Sequence, residues 1–137
     1  MPYKLGPRSL LNLRGVHPDL VRVVKRAISI SSVDFTVIEG LRTVARQKEL
    51  VAKGASKTMR SRHLSGHAVD IVPYVAGQVR WDWPLFLPIA EAMKKAAEIE
   101  DIRIRWGGTW RLLAVSPLIN MGALNKNFPD GPHFELP

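Results

Sequence analysis

Residues 61–73 read SRHLSGHAVDIVP and place two of the chain's four histidines just before an aspartate. That aspartate, Asp70, stands inside an apolar run that reads as a buried strand. A carboxylate in such a position is costly unless a cation or a set of hydrogen bonds pairs with it. The sequence therefore predicts a partner for Asp70, either a metal ion or one of the arginines.

A second polar group lies in the sequence DGPHFEL near the end of the chain. Phe134 and Leu136 alternate as core residues, which puts His133 and Glu135 on the opposite face of a strand. If this strand neighbours the strand of Asp70, His133 meets Asp70 and one of the two earlier histidines. Two imidazoles and one carboxylate form the protein ligand set of a catalytic zinc site, which keeps a fourth position open for water.

The choice between His63 and His67 as the first ligand stays open on spacing alone. Gly66 argues against a continuous helix through both histidines, so we expect His63 in the loop that enters the strand, within reach of Asp70. Simpler interpretations also exist. Asp70 could be half of a salt bridge, and His133 a hydrogen-bonded residue of an edge strand.

A zinc hydrolase also needs a proton acceptor and a cation for the developing oxyanion. Asp130 precedes His133 by three residues, across a tight Gly-Pro pair, a spacing that can place its carboxylate beside a zinc-bound water without ligating the metal. Arg42, at the end of VIEGLRT, is the best-placed candidate for the positive partner. Taken alone, Asp130 reads as an ordinary turn residue and Arg42 as a surface ion pair.

The elements that must position these residues alternate between helix and strand. We expect an extended lead-in over residues 1–15 and a strand of β-branched residues in DFTVIEG. Helical spacing and capping signals predict helices in HPDLVRVVKRAISI, TVARQKELVAKG and WPLFLPIAEAMKKAAEIE. Further strands are predicted in HAVDIV (closed by Pro73), DIRIRW and PHFELP, with a hairpin turn at AGQV, and residues 111–129 read as a loop with at most one helical turn. This mixture is typical of an α+β fold, with helices packed against an antiparallel sheet.

The length and composition fit one globular domain over residues 1–137. The chain has no cysteine, which excludes disulfides and thiolate zinc sites, so any metal must bind histidine and carboxylate. The N-terminus has no apolar signal core, and no run approaches the roughly 20 apolar residues of a membrane span. We therefore expect a protein made without a signal peptide or a membrane span.

The charge balance is strongly basic, with 20 Lys and Arg against 12 Asp and Glu, for a formal net charge of +8. Such a balance favours polyanions: nucleic acid, anionic lipid or an acidic cell-wall polymer. No familiar DNA-reading motif or aromatic stacking platform accompanies the basic residues. We therefore expect the anionic cell envelope, and not nucleic acid, as the partner. The spread-out basic residues include Lys57, Arg60, Arg62, Lys94, Lys95, Arg103 and Arg105.

Together these motifs resemble a known family. SRHLSGHAVD fits the pattern Ser-x-His-x-x-Gly-x-Ala-x-Asp, with GLRT upstream and DGPHFEL at the end. The chain is similar to the D-alanyl-D-alanine carboxypeptidase and L-alanyl-D-glutamate endopeptidase family of zinc peptidases (the LAS metallopeptidases), most of all to its small phage endolysins. The likeness runs from about Val16 to Pro137 and is weakest over residues 111–129. It implies a central antiparallel sheet flanked by helices, as in the hedgehog signalling domain.

The resemblance also implies roles for individual residues. It implies that the zinc ligands are His63, Asp70 and His133. It also implies that the general base is Asp130, that the arginine that stabilises the transition state is Arg42, and that a serine associated with substrate binding is Ser61. His67 falls at a position that is not a ligand in the family. Thr109 departs from the pattern, because relatives often read Gly-Gly-Asp-Trp there, so no cleft-shaping role of that aspartate is carried over.

The implied function is that of a monomeric phage endolysin that uses zinc to cut the peptide stem of peptidoglycan, with the L-alanyl–D-glutamate bond favoured. Such an enzyme is held in the host cytoplasm and acts on the wall after release. Two alternatives stay open: a D-Ala-D-Ala carboxypeptidase or dipeptidase, and a non-catalytic binding module that keeps the zinc. Asp130 and Arg42 favour an enzyme, because a pure binding module needs neither.

Overall fold

The structure is a computed structural model that describes residues 2–56, 58–115 and 119–137. Lys57 and residues 116–118 of the predicted loop lie outside this description. The helices are α1 (Pro7–Asn12), α2 (Pro18–Ile30), α3 (Val44–Ala52) and α4 (Trp83–Glu100). The strands are β1 (Phe35–Glu39), β2 (Ala68–Val75), β3 (Gln78–Val79), β4 (Arg105–Trp106), β5 (Arg111–Leu112) and β6 (His133–Glu135). Short 3-10 turns cover Arg62–Ser65, Leu113–Val115 and Met121–Ala123.

The strands form an antiparallel sheet in the order β1-β2-β6-β4-β5, and β3 pairs with the far end of β2. The helices α2 and α4 pack against each other, α4 also contacts β2, and α1 contacts β1. The predicted α+β class with a central antiparallel sheet and flanking helices is confirmed. The strand β2, which carries Asp70, lies between β1 and β6 and is therefore held on both edges.

The core forms between α2, α4 and one face of the sheet. The apolar positions that helical spacing assigned to α2 are all buried: Leu20, Val23, Val24, Ala27 and Ile28. Val69 and Ile71 of β2 are fully buried, as their alternation predicted. On the neighbouring strands, Trp106 stacks on Phe134 with ring centroids 6.3 Å apart. The alternate residues of β2 and β6 are thereby left on the opposite face of the sheet.

The helix ends follow the predicted signals. Pro18 opens α2, and the His17 side chain accepts a hydrogen bond from the backbone N–H of Asp19. Thr43 caps α3 in the same way by accepting from the N–H of Arg46. A hairpin joins β2 to β3, as AGQV predicted, and both of its turn residues have positive φ: 53° at Ala76 and 79° at Gly77.

Two predictions near the ends of elements are wrong. The expected extended lead-in contains α1, which is only six residues long and too short to show an apolar period. Pro73 does not close the second strand, because β2 continues to Val75. Proline has no N–H for the ladder, but Pro73 lies beyond the part of β2 that β6 covers and uses its carbonyl to accept from the N–H of Arg80.

The C-terminal third differs from its prediction in detail. Of the predicted strand DIRIRW only Arg105–Trp106 is β-structure, because β4 pairs over just two residues on each side. The region read as a loop from 111 contains the short strand β5 and two 3-10 turns. In the parts of the chain that the structure describes, no helix is long and apolar enough to cross a membrane.

Candidate active site

Three metal-binding side chains meet where β2 lies beside β6. Asp70 and His133 are direct partners in the β2–β6 register, and His63 lies in the 3-10 turn that leads into β2. The Asp70 Oδ1 atom lies 3.2 Å from His63 Nε2 and 3.6 Å from His133 Nδ1. The three donor atoms all lie within 4.8 Å of one another, and both imidazoles are buried. The structure therefore brings together the residues that the sequence proposed as a ligand set.

Local hydrogen bonds fix the position of His63. The Ser61 hydroxyl accepts from the N–H of His63 at the start of the 3-10 turn, and Gly66 ends that turn with a φ of 75°. The His63 carbonyl accepts from the N–H of Arg42, and its Nδ1 lies 2.9 Å from the carbonyl oxygen of Gly40. Because that carbonyl can only accept, Nδ1 carries a proton, and Nε2 is the ring nitrogen that faces Asp70.

His133 has a side-chain partner that sequence reasoning missed. Its Nε2 lies 2.7 Å from the Glu135 carboxylate, and the other oxygen of Glu135 lies 3.2 Å from Arg105 Nη1. Glu135 and His133 are two positions apart on β6, so their side chains leave the same face of the sheet. The alternation in HFEL placed Glu135 on the face of His133, and that signal could have identified it.

The electrostatics suit a cation at this cluster. Burial works against ionisation of Asp70, but hydrogen bonds from His133 and His63 outweigh it and hold its pKa well below the usual range. Burial likewise opposes the charged form of His133, but the carboxylates of Asp70 and Glu135 raise its pKa to about 9. The same hydrogen bond from His133, together with Arg105, holds the pKa of Glu135 below its usual value against the effect of burial. Positive charge is thus stabilised between Asp70 and Glu135.

Asp130 lines the same cleft as the three ligand candidates. Its backbone is tied to Gly107, whose carbonyl accepts from the N–H of Asp130 at 2.9 Å and whose own N–H donates to the carbonyl of His133 at 2.8 Å. A Cβ at position 107 would press against the Asp130 carbonyl oxygen and lie 3.0 Å from the Cβ of His133. Burial raises the pKa of Asp130, and the charge of Asp70 raises it further. The nearby His133, His63 and Arg42 act in the opposite direction but do not outweigh these two effects.

Arg42 is buried against this cleft rather than lying at the surface. Its guanidinium donates to both carboxylate oxygens of Glu39, at 2.7 and 2.9 Å, and to Gln47 Oε1 at 2.7 Å. Its Nη2 lies 3.5 Å from Asp70 Oδ2, and its Nη1 lies 3.5 Å from the Ser61 hydroxyl. Sequence reasoning missed Glu39 and Gln47. For Glu39, the available signal was its position three residues before Arg42 in VIEGLRT.

The remaining histidines lie outside the cluster. His67 is within 2.8 Å of the Ser65 hydroxyl through Nδ1, and its ring lies 5.2 Å from that of His17. His17 caps α2, as expected for a residue at a helix entry. The structure thus places His63, and not its rival His67, beside Asp70.

Aromatic residues form one wall of the cleft, whose volume is about 730 Å³. The ring of Trp110 lies 5.2 Å from that of His133, and its indole N–H donates to the Phe128 carbonyl. Trp110 adopts a positive φ of 55°, which is unusual for a residue other than glycine. Thr109 is buried, and its hydroxyl accepts from the N–H of Arg111 within the β4–β5 turn.

Comparisons with known proteins agree with this geometry. The family model for phage L-alanyl-D-glutamate peptidase matches residues 1–137. The L-alanyl-D-glutamate peptidase of Escherichia phage T5 is 35% identical over 80% of this chain and 83% of its own length. The L-alanyl-D-glutamate peptidase of Listeria phage A118 is 28% identical over 94% of this chain, which spans 41% of that longer protein.

A solved structure adds a match in three dimensions. The crystal structure of the Serratia marcescens L-Ala D-Glu endopeptidase ChiX has a TM-score of 0.83 and 47% sequence identity, over 99% of this chain and 91% of the ChiX chain. The fold, the clustered side chains and the match along the whole chain agree with the family resemblance of the sequence motifs. That resemblance is therefore confirmed. The chain therefore belongs to the phage L-alanyl-D-glutamate peptidase family.

Proposed function

We propose that this chain is a zinc peptidase of the endolysin type, which hydrolyses the peptide stem of peptidoglycan at the L-alanyl–D-glutamate bond. The observation that carries the proposal is the meeting of His63, Asp70 and His133 in a cleft that also holds Asp130 and Arg42. The relatives from two phages and from Serratia marcescens are named for the same bond.

The proposed ligands are His63 through Nε2, Asp70 through Oδ1 and His133 through Nδ1. Two ligands at roughly 2.0–2.1 Å from a tetrahedral zinc ion lie about 3.3 Å apart. The separations from Asp70 Oδ1 to the two ring nitrogens, 3.2 and 3.6 Å, fit that value. When bound, zinc supplies a Lewis acid that makes water nucleophilic near neutral pH and polarises a carbonyl group.

Asp130 is proposed as the general base. Its raised pKa makes it a better proton acceptor than an ordinary surface aspartate. After taking a proton from the attacking water, it can pass that proton to the amino group that leaves. Backbone hydrogen bonds to Gly107 and His133 hold the residue at the cleft.

Arg42 is proposed to stabilise the negative charge that develops on the scissile carbonyl oxygen. Glu39 and Gln47 hold its guanidinium in place, so it needs little reorganisation when charge appears. Ser61 is proposed to contact the substrate. Its hydroxyl lies beside Arg42 and also lines the cleft.

We also propose where this protein acts. Residues 1–137 form one zinc peptidase domain that acts as a monomer, is made in the host cytoplasm and reaches the wall after release. The cleft includes Arg60 and Arg62, which add positive charge near the ligand cluster. A D-glutamate residue that is bonded through its amino group keeps a free carboxylate, so these arginines and the net charge of +8 suit an acidic stem and an anionic envelope.

Mass spectrometry of purified peptidoglycan digested with the zinc-loaded protein tests this function. We expect glycan-linked fragments that end in L-alanine and free peptides that begin with D-glutamate. The Asp130→Asn variant is the control, since it should bind zinc and leave the wall intact. Release of D-alanine alone would instead identify a carboxypeptidase, and a zinc-loaded wild type without products would identify a binding module.

A further inference from the structure

Glu135 is a buried carboxylate at the centre of the sheet, and each of its oxygens has one partner. It pairs across the ladder with Ala68 of β2 on one side and with Arg105 of β4 on the other. Only 7% of Glu135 is exposed. One oxygen lies 2.7 Å from His133 Nε2 and the other 3.2 Å from Arg105 Nη1. A carboxylate buried this deeply is stable because both oxygens are paired.

The two candidate ligand histidines differ in what holds their second nitrogen. The Nδ1 proton of His63 goes to the backbone carbonyl of Gly40, which no substitution can remove. The Nε2 proton of His133 goes to a side chain, and its Nδ1 faces Asp70. The orientation of the His133 ring therefore depends on a side-chain carboxylate, which a substitution can remove.

We propose that Glu135, held in place by Arg105, is a positioning residue that keeps the Nε2 proton of His133 and so presents Nδ1 to the metal. This inference rests on the proposed zinc site. Without the Glu135 carboxylate, Asp70 is the one remaining ion-pair partner of His133 among the described residues, so the ring can rotate and offer either nitrogen. Partners of this kind raise the basicity of the ligand and typically account for 10–100-fold in metal affinity.

Arg105 has the lesser role of orienting Glu135. Its side chain is 39% exposed at the edge of the cleft, so solvent can partly replace its contact with the carboxylate. We therefore expect the loss of Arg105 to weaken zinc binding less than the loss of Glu135 does.

The experiment measures zinc dissociation constants by chelator competition for the wild type, Glu135→Ala, Glu135→Gln and Arg105→Gln. Glu135→Ala should bind zinc roughly 10–100-fold more weakly. Glu135→Gln should recover part of the loss, because an amide oxygen can still accept the Nε2 proton, and it serves as the folded isostere if Glu135→Ala does not fold. Arg105→Gln should show the smallest effect of the three.

Glu100→Ala is the matched control. Glu100 also forms a carboxylate–arginine pair, 2.9 Å from Arg26, but at the α2–α4 contact and away from the cleft. Its loss should leave the zinc affinity unchanged, which separates an effect of ligand positioning from the general loss of an ion pair.

Nitrogen-15 NMR of the zinc-loaded protein gives a readout independent of activity. In the wild type, His133 should show a single protonated ring nitrogen, Nε2, and Glu135→Ala should show a mixture of nitrogens or faster exchange of that proton. Unchanged zinc affinity and an unchanged His133 signal in both Glu135 variants would overturn the inference while leaving the proposed function intact. A wild type that binds no zinc would contradict the proposed function and this inference together.

Discussion

The two halves of the candidate active site are held in different ways. The proposed ligands sit on or beside the β2–β6 ladder, and each imidazole has its second nitrogen hydrogen-bonded. Asp130 comes from a loop and is tied to Gly107 through its backbone alone. Among the residues that the structure describes, none donates a hydrogen bond to the Asp130 carboxylate.

This difference matches two chemical tasks. A metal ligand must keep one geometry, so its hydrogen bonds fix the ring and leave a single lone pair free. A general base must accept and release a proton, so its carboxylate needs free lone pairs and a raised pKa. We therefore expect substitutions in the ladder to remove the metal, and substitutions in the loop to remove turnover while the metal stays.

The largest effect should come from the ladder. His133→Ala removes a ligand, so the purified protein should contain little zinc by elemental analysis and should not digest peptidoglycan. His67→Ala is the matched control, because His67 lies outside the cluster and its ring Nδ1 is hydrogen-bonded to the Ser65 hydroxyl instead. If His67→Ala loses zinc while His63→Ala retains it, the assignment of His63 as a ligand is wrong.

Replacing the base should separate the two halves. Asp130→Asn keeps the shape of the side chain but cannot accept the proton, so turnover should fall by about 100-fold or more. Zinc content and the free energy of unfolding should stay near those of the wild type. Near-normal hydrolysis of cell walls by this variant would show that Asp130 is an ordinary turn residue and not the general base.

A smaller change to the loop tests how it is held. In Gly107→Ala the new methyl group presses on the Asp130 carbonyl, so the loop must shift. A shift of this kind should lower turnover by roughly 10–100-fold. Gly122→Ala serves as the control, because among the described residues its Cβ meets just the Asn120 side chain, at an ordinary 3.4 Å. Equal activity of the two variants would show that the close approach at Gly107 does not position the base.

The smallest expected effect concerns the proton that His133 must lose to bind zinc. The pKa of His133 is raised to about 9, so near pH 7 this ring is charged in the metal-free protein and must lose its proton to bind zinc. Zinc affinity should therefore rise by about tenfold per pH unit between roughly pH 7 and 8 on account of this group. Calorimetry in two buffers of different protonation enthalpy should detect the released proton, and binding without proton release would contradict the raised pKa.

Sequence patterns predicted which side chains meet in the candidate site better than they predicted the residues that support them. The period of two in HAVDIV and HFEL put Asp70 and His133 on polar faces, and the ladder between β2 and β6 then brought them together. The support of His133 depends on a contact between distant segments, because Arg105 reaches Glu135 through the β4–β6 register. The support of Arg42 by Gln47 is local, but its spacing of five residues matches neither a helical nor a strand period.

Short elements explain most of the errors in the fold. The helix α1 has six residues, and β4 and β5 have two each, so neither apolar periodicity nor β-propensity can identify them. The irregularity in β1 between Val37 and Glu39 is similar, because a change of register there depends on the pairing with β2. This irregularity aligns Glu39 with Asp70, near the guanidinium of Arg42.

The most direct test of the ligand half is a crystal structure of the zinc-loaded protein, with anomalous diffraction measured on both sides of the zinc absorption edge. We expect one strong anomalous peak bonded to His63 Nε2, Asp70 Oδ1 and His133 Nδ1, with the His133 Nε2 still hydrogen-bonded to Glu135 and Asp130 close by but not ligating. A peak on His67, a peak ligated by Asp130, or no peak in this cleft would contradict it.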